Sequence, residues 1–200
     1  MGSRMSKKKR HIKENIKTGL QIKDENPFRA IKIGLLGDEE VGKTSICNSF
    51  VGIEFQNDYL RTIGSEKFEK KINLDNGKEI KLVFWDGAGQ ERFRTAVLRT
   101  VRNVEGIILV FNVIDKNSFD NIERWLQEIK DNYEKEPIII LFANKVDVDK
   151  EKWKVSIEEI ETVVKEYNWD YFKISAKNGI GIDEGLNCIA NKIYNKRINN

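Results

Sequence analysis

Residues 30–51 place an apolar strand, a glycine-rich turn and a helix in direct succession, and this order restricts the fold more than any other feature. AIKIGLL (30–36) has a strand pattern, and KTSICNSFV (43–51) has a helical one. Two later runs, GIILVFNV (106–113) and PIIILFANK (137–145), are continuously apolar, as strands buried on both faces are. Strands of this kind belong to parallel sheets covered by helices, so the chain is predicted to be α/β.

The remaining segments extend this alternation. A hairpin is predicted over 67–85, because two alternating strands flank Asn76-Gly77. Apolar spacing predicts helices over 118–133 and 182–196 and a strand over 171–175. A capping box at SIEE (156–159) predicts that a further helix begins at 156. The predicted fold is a mostly parallel six-stranded sheet with one antiparallel edge strand and helices on both faces. Ligands bind such sheets at the carboxyl ends of the strands.

The turn after the first strand has the sequence Gly37-Asp38-Glu39-Glu40-Val41-Gly42-Lys43-Thr44. Glycines at both ends let the backbone curl so that its amides and the helix N-terminus point at phosphate oxygens. Lys43 would reach the β- and γ-phosphates, and the Thr44 hydroxyl would bind Mg²⁺. We therefore expect a phosphate-binding P-loop.

A second loop, Asp86-Gly87-Ala88-Gly89-Gln90, directly follows the strand that ends at Trp85. An acid at this place opposite a P-loop can hold Mg²⁺ through water, so Asp86 is a candidate metal residue. Gly89 can offer its amide to a γ-phosphate, and Gln90 is placed to orient a water. Taken alone, such an Asp is usually a turn residue.

Two further loops also follow predicted strands. In Asn144-Lys145-Val146-Asp147, a buried Asp147 could accept two hydrogen bonds from guanine N1–H and N2, a donor pair that adenine lacks. In Ser175-Ala176-Lys177, a backbone amide could meet guanine O6. Either motif is weak alone, but the ordered set of four loops is specific.

The chain resembles a small GTPase of the Ras superfamily, and its Rab branch most of all, over residues 29–197. WDGAGQERFRT (85–95) is similar to the Rab run WDTAGQERF, and TIG (62–64) is similar to Rab switch I. The resemblance implies a small G-domain of P-loop type. It also implies that Thr62 senses Mg²⁺ and the γ-phosphate, that Phe55 packs on the base, and that Tyr59 covers the phosphates. The alternative for Phe55 is a core position.

The expected site follows from these motifs and the resemblance together. Gln90, Lys43 and Thr62 are the expected catalytic residues, and Thr44, Thr62 and Asp86 are the expected Mg²⁺ residues. The expected nucleotide-binding residues are Gly37, Glu39, Glu40, Val41, Gly42, Lys43, Thr44, Ser45, Phe55, Tyr59, Thr62, Gly89, Asn144, Lys145, Asp147, Ser175, Ala176 and Lys177.

The chain departs from the Rab pattern on the surface that partners would read. Rabs follow TIG with a Val-Asp-Phe type sequence, whereas TIGSEKF puts Lys67 at the aromatic place or shifts Phe68 by one residue. Thr100-Val101-Arg102-Asn103-Val104 stands where Rabs have Tyr-Tyr-Arg-Gly-Ala, and of the aromatic triad only Trp85 is plainly kept. A GTPase-activating protein, an exchange factor and effectors are expected at residues 55–68 and 87–104, while the effector's identity stays open.

Glu39 and Glu40 bring two negative charges towards an anionic ligand. A carboxylate 5–7 Å from the γ-phosphate would feel roughly 2–3 kcal/mol of repulsion per phosphate charge at an effective dielectric constant of about 20. Mg²⁺ and Lys43 offset much of this, and the main-chain amides still bind. Glu39 also stands where a partner's arginine finger would approach, and it could obstruct that arginine or attract it. We therefore expect nucleotide binding with slow GTP hydrolysis.

Three functions follow. The first is a Rab-like GTP/GDP switch in membrane traffic or signalling. The second is a non-catalytic scaffold that Glu39 and Glu40 lock in one nucleotide state. The third, a P-loop kinase acting on a small molecule, is disfavoured by Gln90 and by the two loops that suit guanine.

The first 23 residues carry eight Lys/Arg against Glu14 alone, a charge of +7, which leaves −4 for the remainder. A basic arm over residues 1–28 could attract an anionic membrane face, or could be a solvated tail before a G-domain over 29–197 and a tail over 198–200. DNA is not expected as a partner, and no aromatic platform supports RNA binding.

The two ends of the sequence bear on membrane attachment. MGSRMS fits the N-myristoylation pattern at Gly2, although MGSR could equally be an expression-vector remnant. The last residues, KIYNKRINN, offer no cysteine for prenylation. A sequence truncated before a prenylation site would look the same. Cys47 and Cys188 are expected to be buried apolar side chains in a reducing compartment, so we expect a cytoplasmic protein, peripheral on a membrane face if the arm anchors it.

Overall fold

The structure, a computed structural model, describes residues 30–55, 65–87, 98 and 101–199. Six strands lie in this part of the chain: β1 (Ile31–Leu36), β2 (Ser65–Asn73), β3 (Glu79–Gly87), β4 (Gly106–Asn112), β5 (Ile138–Asn144) and β6 (Asp170–Ile174). The α-helices described there are α1 (Lys43–Val51), α2 (Lys116–Asp120), α3 (Ile122–Asn132), α4 (Ile157–Tyr167) and α5 (Ile182–Asn199). A 3₁₀ turn spans Lys150–Lys152.

The strands form one sheet in the order β2-β3-β1-β4-β5-β6. β1 pairs in parallel with β3 and β4, and β4-β5 and β5-β6 are also parallel. Only β2, at the edge, runs antiparallel to its neighbour. The predicted sheet, with its antiparallel edge strand, is confirmed.

Apolar side chains cover both faces of the sheet. Along β4, Ile108 and Val110 join one cluster with residues of α1 and α5, while Ile107, Leu109 and Phe111 join a second with residues of α3 and α4. This explains the continuous apolar runs in β4 and β5, because successive side chains enter the two cores alternately.

The helix predicted over 118–133 is wrong as a single element. The structure has α2 and α3 instead, separated at Asn121, whose ψ of −4° turns the chain between them. The Asp115 side chain caps α2 by accepting from the Asn117 amide at 3.1 Å. Asparagine is a poor residue for a helix interior, and here its side chain is used elsewhere, in a contact with Asp38.

Two short motifs have the expected geometry. The Leu74 carbonyl accepts from the Gly77 amide at 2.8 Å, and Gly77 has a φ of 76°, so the β2–β3 hairpin closes with a turn followed by a left-handed residue. In the capping box, the Ser156 hydroxyl accepts from the Glu159 amide at 3.2 Å, and the Glu159 carboxylate accepts from the Ser156 amide at 2.8 Å.

The two cysteines differ in burial. Cys47 is buried as expected, but Cys188 is only half-buried, with its Sγ 3.6 Å from Asp170 Oδ2. The prediction for Cys188 is therefore wrong, because its place on α5 is beside the polar start of β6. Among the described helices, α5 included, none combines the length and the apolar character needed to cross a membrane.

Candidate functional site

Four loops meet at the carboxyl end of the parallel strands, because β1, β3, β5 and β6 all end there. They are the P-loop (residues 37–44), the end of β3 at Asp86, the loop 144–147 and the loop 175–177. The sequence placed a functional motif on each of these loops, and the structure brings the four together.

The glycines at the two ends of the P-loop leave no room for a side chain. At Gly37, where φ is 148°, a Cβ would lie 2.2 Å from the Val110 carbonyl oxygen of β4. At Gly42, where φ is 97°, it would lie 2.4 Å from Asn144 Nδ2. The loop therefore keeps its curl only with glycine at these positions.

Lys43 is drawn across the P-loop. Its Nζ donates to the carbonyl oxygens of Gly37 at 3.0 Å and Asp38 at 2.6 Å, and the residue is 6% exposed. Burial lowers the pKa of Lys43 to about 8, although the carboxylates of Asp86, Asp38 and Glu39 act in the opposite direction. The ammonium group thus lies inside the loop that it would share with a phosphate.

The N-terminus of α1 points into the same loop and has no side-chain cap. Gly42 occupies the N-cap position, and no acidic residue lies in the first turn. The first amides of a helix have no partner within the helix, so an anion at this end can accept from them. Lys43, Thr44 and Ser45 supply these amides.

Thr44 and Asp86 form a pair beside Lys43. Thr44 Oγ1 donates to Asp86 Oδ2 at 2.5 Å. Asp86 is fully buried, and its Oδ1 has no hydrogen-bond partner among the described residues. Burial raises the pKa of Asp86, against the lowering effects of Thr44 and Lys43. A hydroxyl and a buried carboxylate oxygen without a donor fit Mg²⁺, which prefers oxygen ligands.

Asn144 joins three of the four loops. Its Nδ2 donates to the Val41 carbonyl at 2.7 Å, and its Oδ1 accepts from the Ala176 amide at 3.1 Å. The residue is buried at the end of β5. Asn144 therefore holds the P-loop and the loop 175–177 in a fixed relation, and the Ala176 amide already has a partner there.

Asp147 lies at the mouth of the site and is tied to Ser175. The Ser175 hydroxyl donates to Asp147 Oδ1 at 2.7 Å and accepts from the Asn178 amide at 3.1 Å. We expected a buried carboxylate, but Asp147 is exposed, because it follows Lys145, whose φ of 70° turns the chain outward from the end of β5. The second carboxylate oxygen faces no protein donor in the described contacts.

The two P-loop glutamates each have a cationic neighbour. Glu39 is half-buried, and its charge raises the pKa of Lys43 against the effect of burial. Glu40 is exposed and adopts a φ of 62°, and its charge acts in the same way on Lys145, whose pKa burial lowers. A side chain at positive φ is uncommon, so Glu40 holds a strained backbone conformation.

Four residues of the expected site lie outside the described part of the chain: Tyr59, Thr62, Gly89 and Gln90. Phe55 is described and is 41% exposed, which contradicts a core position and leaves the ring accessible. Lys177 is exposed next to Ala176.

On the surface expected to meet partners, Lys67 and not Phe68 takes the outward place. Lys67 lies directly opposite Trp85 on the neighbouring strand, whereas Phe68 lies opposite Phe84 and is 8% exposed in the core. The open alternative for this surface is therefore decided in favour of a lysine.

Sequence reasoning missed the anchor of the P-loop. The Asp38 carboxylate accepts from Asn121 Nδ2 at 2.6 Å and from Trp125 Nε1 at 2.9 Å, so α3 holds the loop by a side chain. The helix over 118–133 was predicted from its apolar spacing, and Trp125 entered that prediction only as one of the apolar positions. Its indole N–H was the missing signal, because a buried indole needs an acceptor.

A sequence model of the Ras family matches residues 32–195. The chain is 38% identical over 165 residues to Ras-related protein Rab-13 of Mesocricetus auratus, covering 82% of this chain and 80% of that protein. It is 36% identical over 168 residues to GTP-binding protein ypt2 of Schizosaccharomyces pombe, covering 84% and 83%. It is also 35% identical over 163 residues to GTP-binding protein yptV2 of Volvox carteri, covering 82% and 75%.

Proposed function

Because the chain belongs to the Ras family and is a Rab-like small GTPase, we propose that it hydrolyses GTP to GDP and phosphate with Mg²⁺ and acts as a switch in membrane traffic or signalling. The observation that carries this proposal is the buried Asp86 carboxylate beside Thr44 and Lys43, at the end of the P-loop. A cation, a hydroxyl and a buried carboxylate at the end of a P-loop suit a metal-bound phosphate chain.

Each P-loop group has a part in holding the phosphates. The amides at the start of α1 would donate to oxygens of the α- and β-phosphates, and Lys43 would exchange its carbonyl partners for β- and γ-phosphate oxygens. Thr44, Thr62 and, through water, Asp86 would hold Mg²⁺. When bound, Mg²⁺ neutralises charge that develops on the phosphate oxygens.

Base recognition rests on the other two loops. Asp147 has one oxygen held by Ser175, and its carboxylate would accept from guanine N1–H and N2. Lys145 and Phe55 would flank the base, and an amide of the loop 175–177 would donate to guanine O6. Adenine lacks this pair of donors, so guanine would be preferred, because a base that covers the carboxylate without donating to it leaves the second oxygen without a hydrogen bond.

Gln90 would orient the attacking water, with Thr62 ordered by the γ-phosphate. Glu39 stands next to Lys43, and its charge would oppose the γ-phosphate by roughly 2–3 kcal/mol per phosphate charge before Mg²⁺ offsets it. We expect hydrolysis without a partner to be slow, and the arginine of an activating protein would meet Glu39, which could obstruct it or attract it.

Single-turnover GTP hydrolysis tests this account. Glu39→Gly should hydrolyse GTP several-fold faster than the parent, because it removes the opposing charge, and Gln90→Leu should be slower than the parent by on the order of tenfold or more. Glu40→Gly is the matched control for charge, since Glu40 is exposed and lies nearer Lys145. A Glu39→Gly protein no faster than the parent would contradict the role of Glu39.

GTP would order the segments 55–68 and 87–104, where an activating protein, an exchange factor and effectors would bind, and hydrolysis would release them. The basic arm would hold the protein at a cytoplasmic membrane face. A locked, non-catalytic scaffold is the second candidate, favoured by the half-buried Glu39 beside Lys43. No turnover with or without an activating protein would favour the scaffold.

A further inference from the structure

A cavity of about 580 Å³ lies at the pole of the sheet opposite the nucleotide loops. It is bounded by the segment before β4, the segment between α3 and β5, and the end of α5. Because β4 and β5 begin there, the cavity is separate from the site at their carboxyl ends. None of the groups assigned above to nucleotide or metal lines it.

The floor of the cavity is apolar and the rim is charged. Val104 and Ile193 are buried side chains of the two opposite cores, and the half-buried Ile138 starts β5 between them. On the rim, Arg102 is exposed and reaches Glu134 only at 3.8 Å, and Lys135 is also exposed. The exposed Glu134 and Glu136 also lie on the rim, so an occupant would need one apolar anchor and acidic groups placed opposite Arg102 and Lys135.

The described chain begins at the edge of this cavity. Arg197, which lines it, donates through Nη2 to the Ala30 carbonyl at 3.0 Å. The same guanidinium makes two bonds to Glu105, from Nε at 2.8 Å and from Nη2 at 2.6 Å. The first described residue is thus held by a paired, largely buried arginine.

We infer that residues 22–29 of this same chain, IKDENPFR, fill the cavity with Phe28 as the anchor. Phe28 is two residues from Ala30, so its Cα lies within about 7 Å of the Ala30 Cα. The segment has Asp24 and Glu25 against Lys23 and Arg29, so it brings no net positive charge to the rim. Asp24 and Glu25 would meet Arg102 and Lys135.

Attachment beside the cavity favours this occupant over any free one. A segment joined by a two-residue link binds intramolecularly, at an effective concentration in the millimolar range. Docking of residues 22–29 would also leave the seven Lys/Arg before residue 22 outside the cavity, available to an anionic surface. The cavity would then set where the basic arm begins.

Three variants of the full chain, studied with excess GDP, test the inference. Phe28→Leu keeps an apolar anchor but removes the aromatic ring, so the methyl NMR signals of Ile138 and Ile193 should shift while methyls at the nucleotide pole stay unchanged. Phe28→Asp should release the segment, so trypsin should cut after Lys23 about ten- to a hundredfold faster than in the parent. Ile16→Asp, the matched control, should leave both readouts as in the parent.

Equal cleavage after Lys23 in the parent and in Phe28→Asp would overturn the inference, as would Ile138 and Ile193 methyl signals that ignore Phe28→Leu. Methyl shifts that vary with protein concentration would also overturn it, because they would assign the cavity to a second copy. None of these readouts depends on GTP hydrolysis, so they stand apart from the proposed function.

Discussion

Asp38 shows how a single P-loop side chain can fix a nucleotide site. Its carboxylate is held by Asn121 and Trp125, and its own carbonyl accepts from Lys43 at 2.6 Å. The contact with α3 therefore helps to fix where the ammonium group of Lys43, which would meet the phosphates, lies. Because Asp38 is held through its side chain and its backbone, the P-loop needs little rearrangement to bind a nucleotide, which favours nucleotide affinity.

Trp125→Phe should loosen this anchor. An aromatic ring is kept, but the indole donor to Asp38 and part of the buried ring volume are lost, which together should lower the free energy of unfolding by about 1–3 kcal/mol. GDP affinity should fall several-fold, because the P-loop is less fixed. Urea denaturation and equilibrium titration with GDP measure the two effects.

Trp153→Phe is the control for that change. Trp153 Nε1 donates to the Val148 carbonyl at 3.0 Å, so its loss should also cost stability, but it lies away from the P-loop. If Trp125→Phe and Trp153→Phe lose stability and both keep the parent's GDP affinity, Asp38 does not position the loop.

Single residues were predicted from sequence where the chemistry is local. The glycines, Lys43, Thr44 and Asp86 follow from motifs, and the structure brings them together. The link from Asp38 to Trp125 was not predicted, since it joins positions 87 apart in the chain. The exposure of Asp147 was missed because the motif fixes the residue type and not its burial, and the positive φ of 70° at Lys145, two residues earlier, is uncommon for such a side chain.

Among the elements, α4 offers a test by pH. Its capping residue Glu159 accepts from Lys116 at 2.7 Å and from the Ser156 amide, and these bonds lower the pKa of Glu159 from 4.5 to about 2. A carboxyl whose pKa is lower in the folded state stabilises the fold above its unfolded pKa and loses that effect as the pH falls through the folded pKa.

Glu159→Gln should therefore lower the melting temperature by a constant amount above about pH 5, and the difference from the parent should shrink between pH 4.5 and pH 2. Glu158→Gln, in the same turn, is the control and should show a smaller difference. Thermal unfolding followed by circular dichroism measures both, and a Glu159→Gln difference that is flat down to pH 2 would contradict the assignment.

Element types were predicted better than element junctions. The apolar period specified β1, α1, β4 and β5, because each of these faces one or two cores along its length. The break between α2 and α3 was missed because Asn121 is tolerable in a helical pattern, and the hydrogen bond from its side chain to Asp38 joins positions far apart in the sequence.

At the scale of the whole molecule, the sheet order and Asn144 together make one site of four loops. Parallel strands bring the loops to one pole, and Asn144 bonds the P-loop to the loop 175–177 across 103 and 32 residues of sequence. The strand pattern predicted the common pole. The bonds between loops were beyond sequence reasoning, since no local pattern encodes a contact of that separation.

The central claim is that this site binds guanine nucleotides through Asp147. Competition of GDP, ADP and XDP against a fluorescent GDP analogue tests it most directly, with the parent and with Asp147→Asn. The parent should prefer GDP over ADP by on the order of 10³–10⁵. Asp147→Asn should weaken GDP binding and improve XDP binding, because its amide can donate to the xanthine oxygen. Equal displacement by GDP and ADP in the parent, or an unchanged GDP/XDP ratio in Asp147→Asn, would contradict the claim.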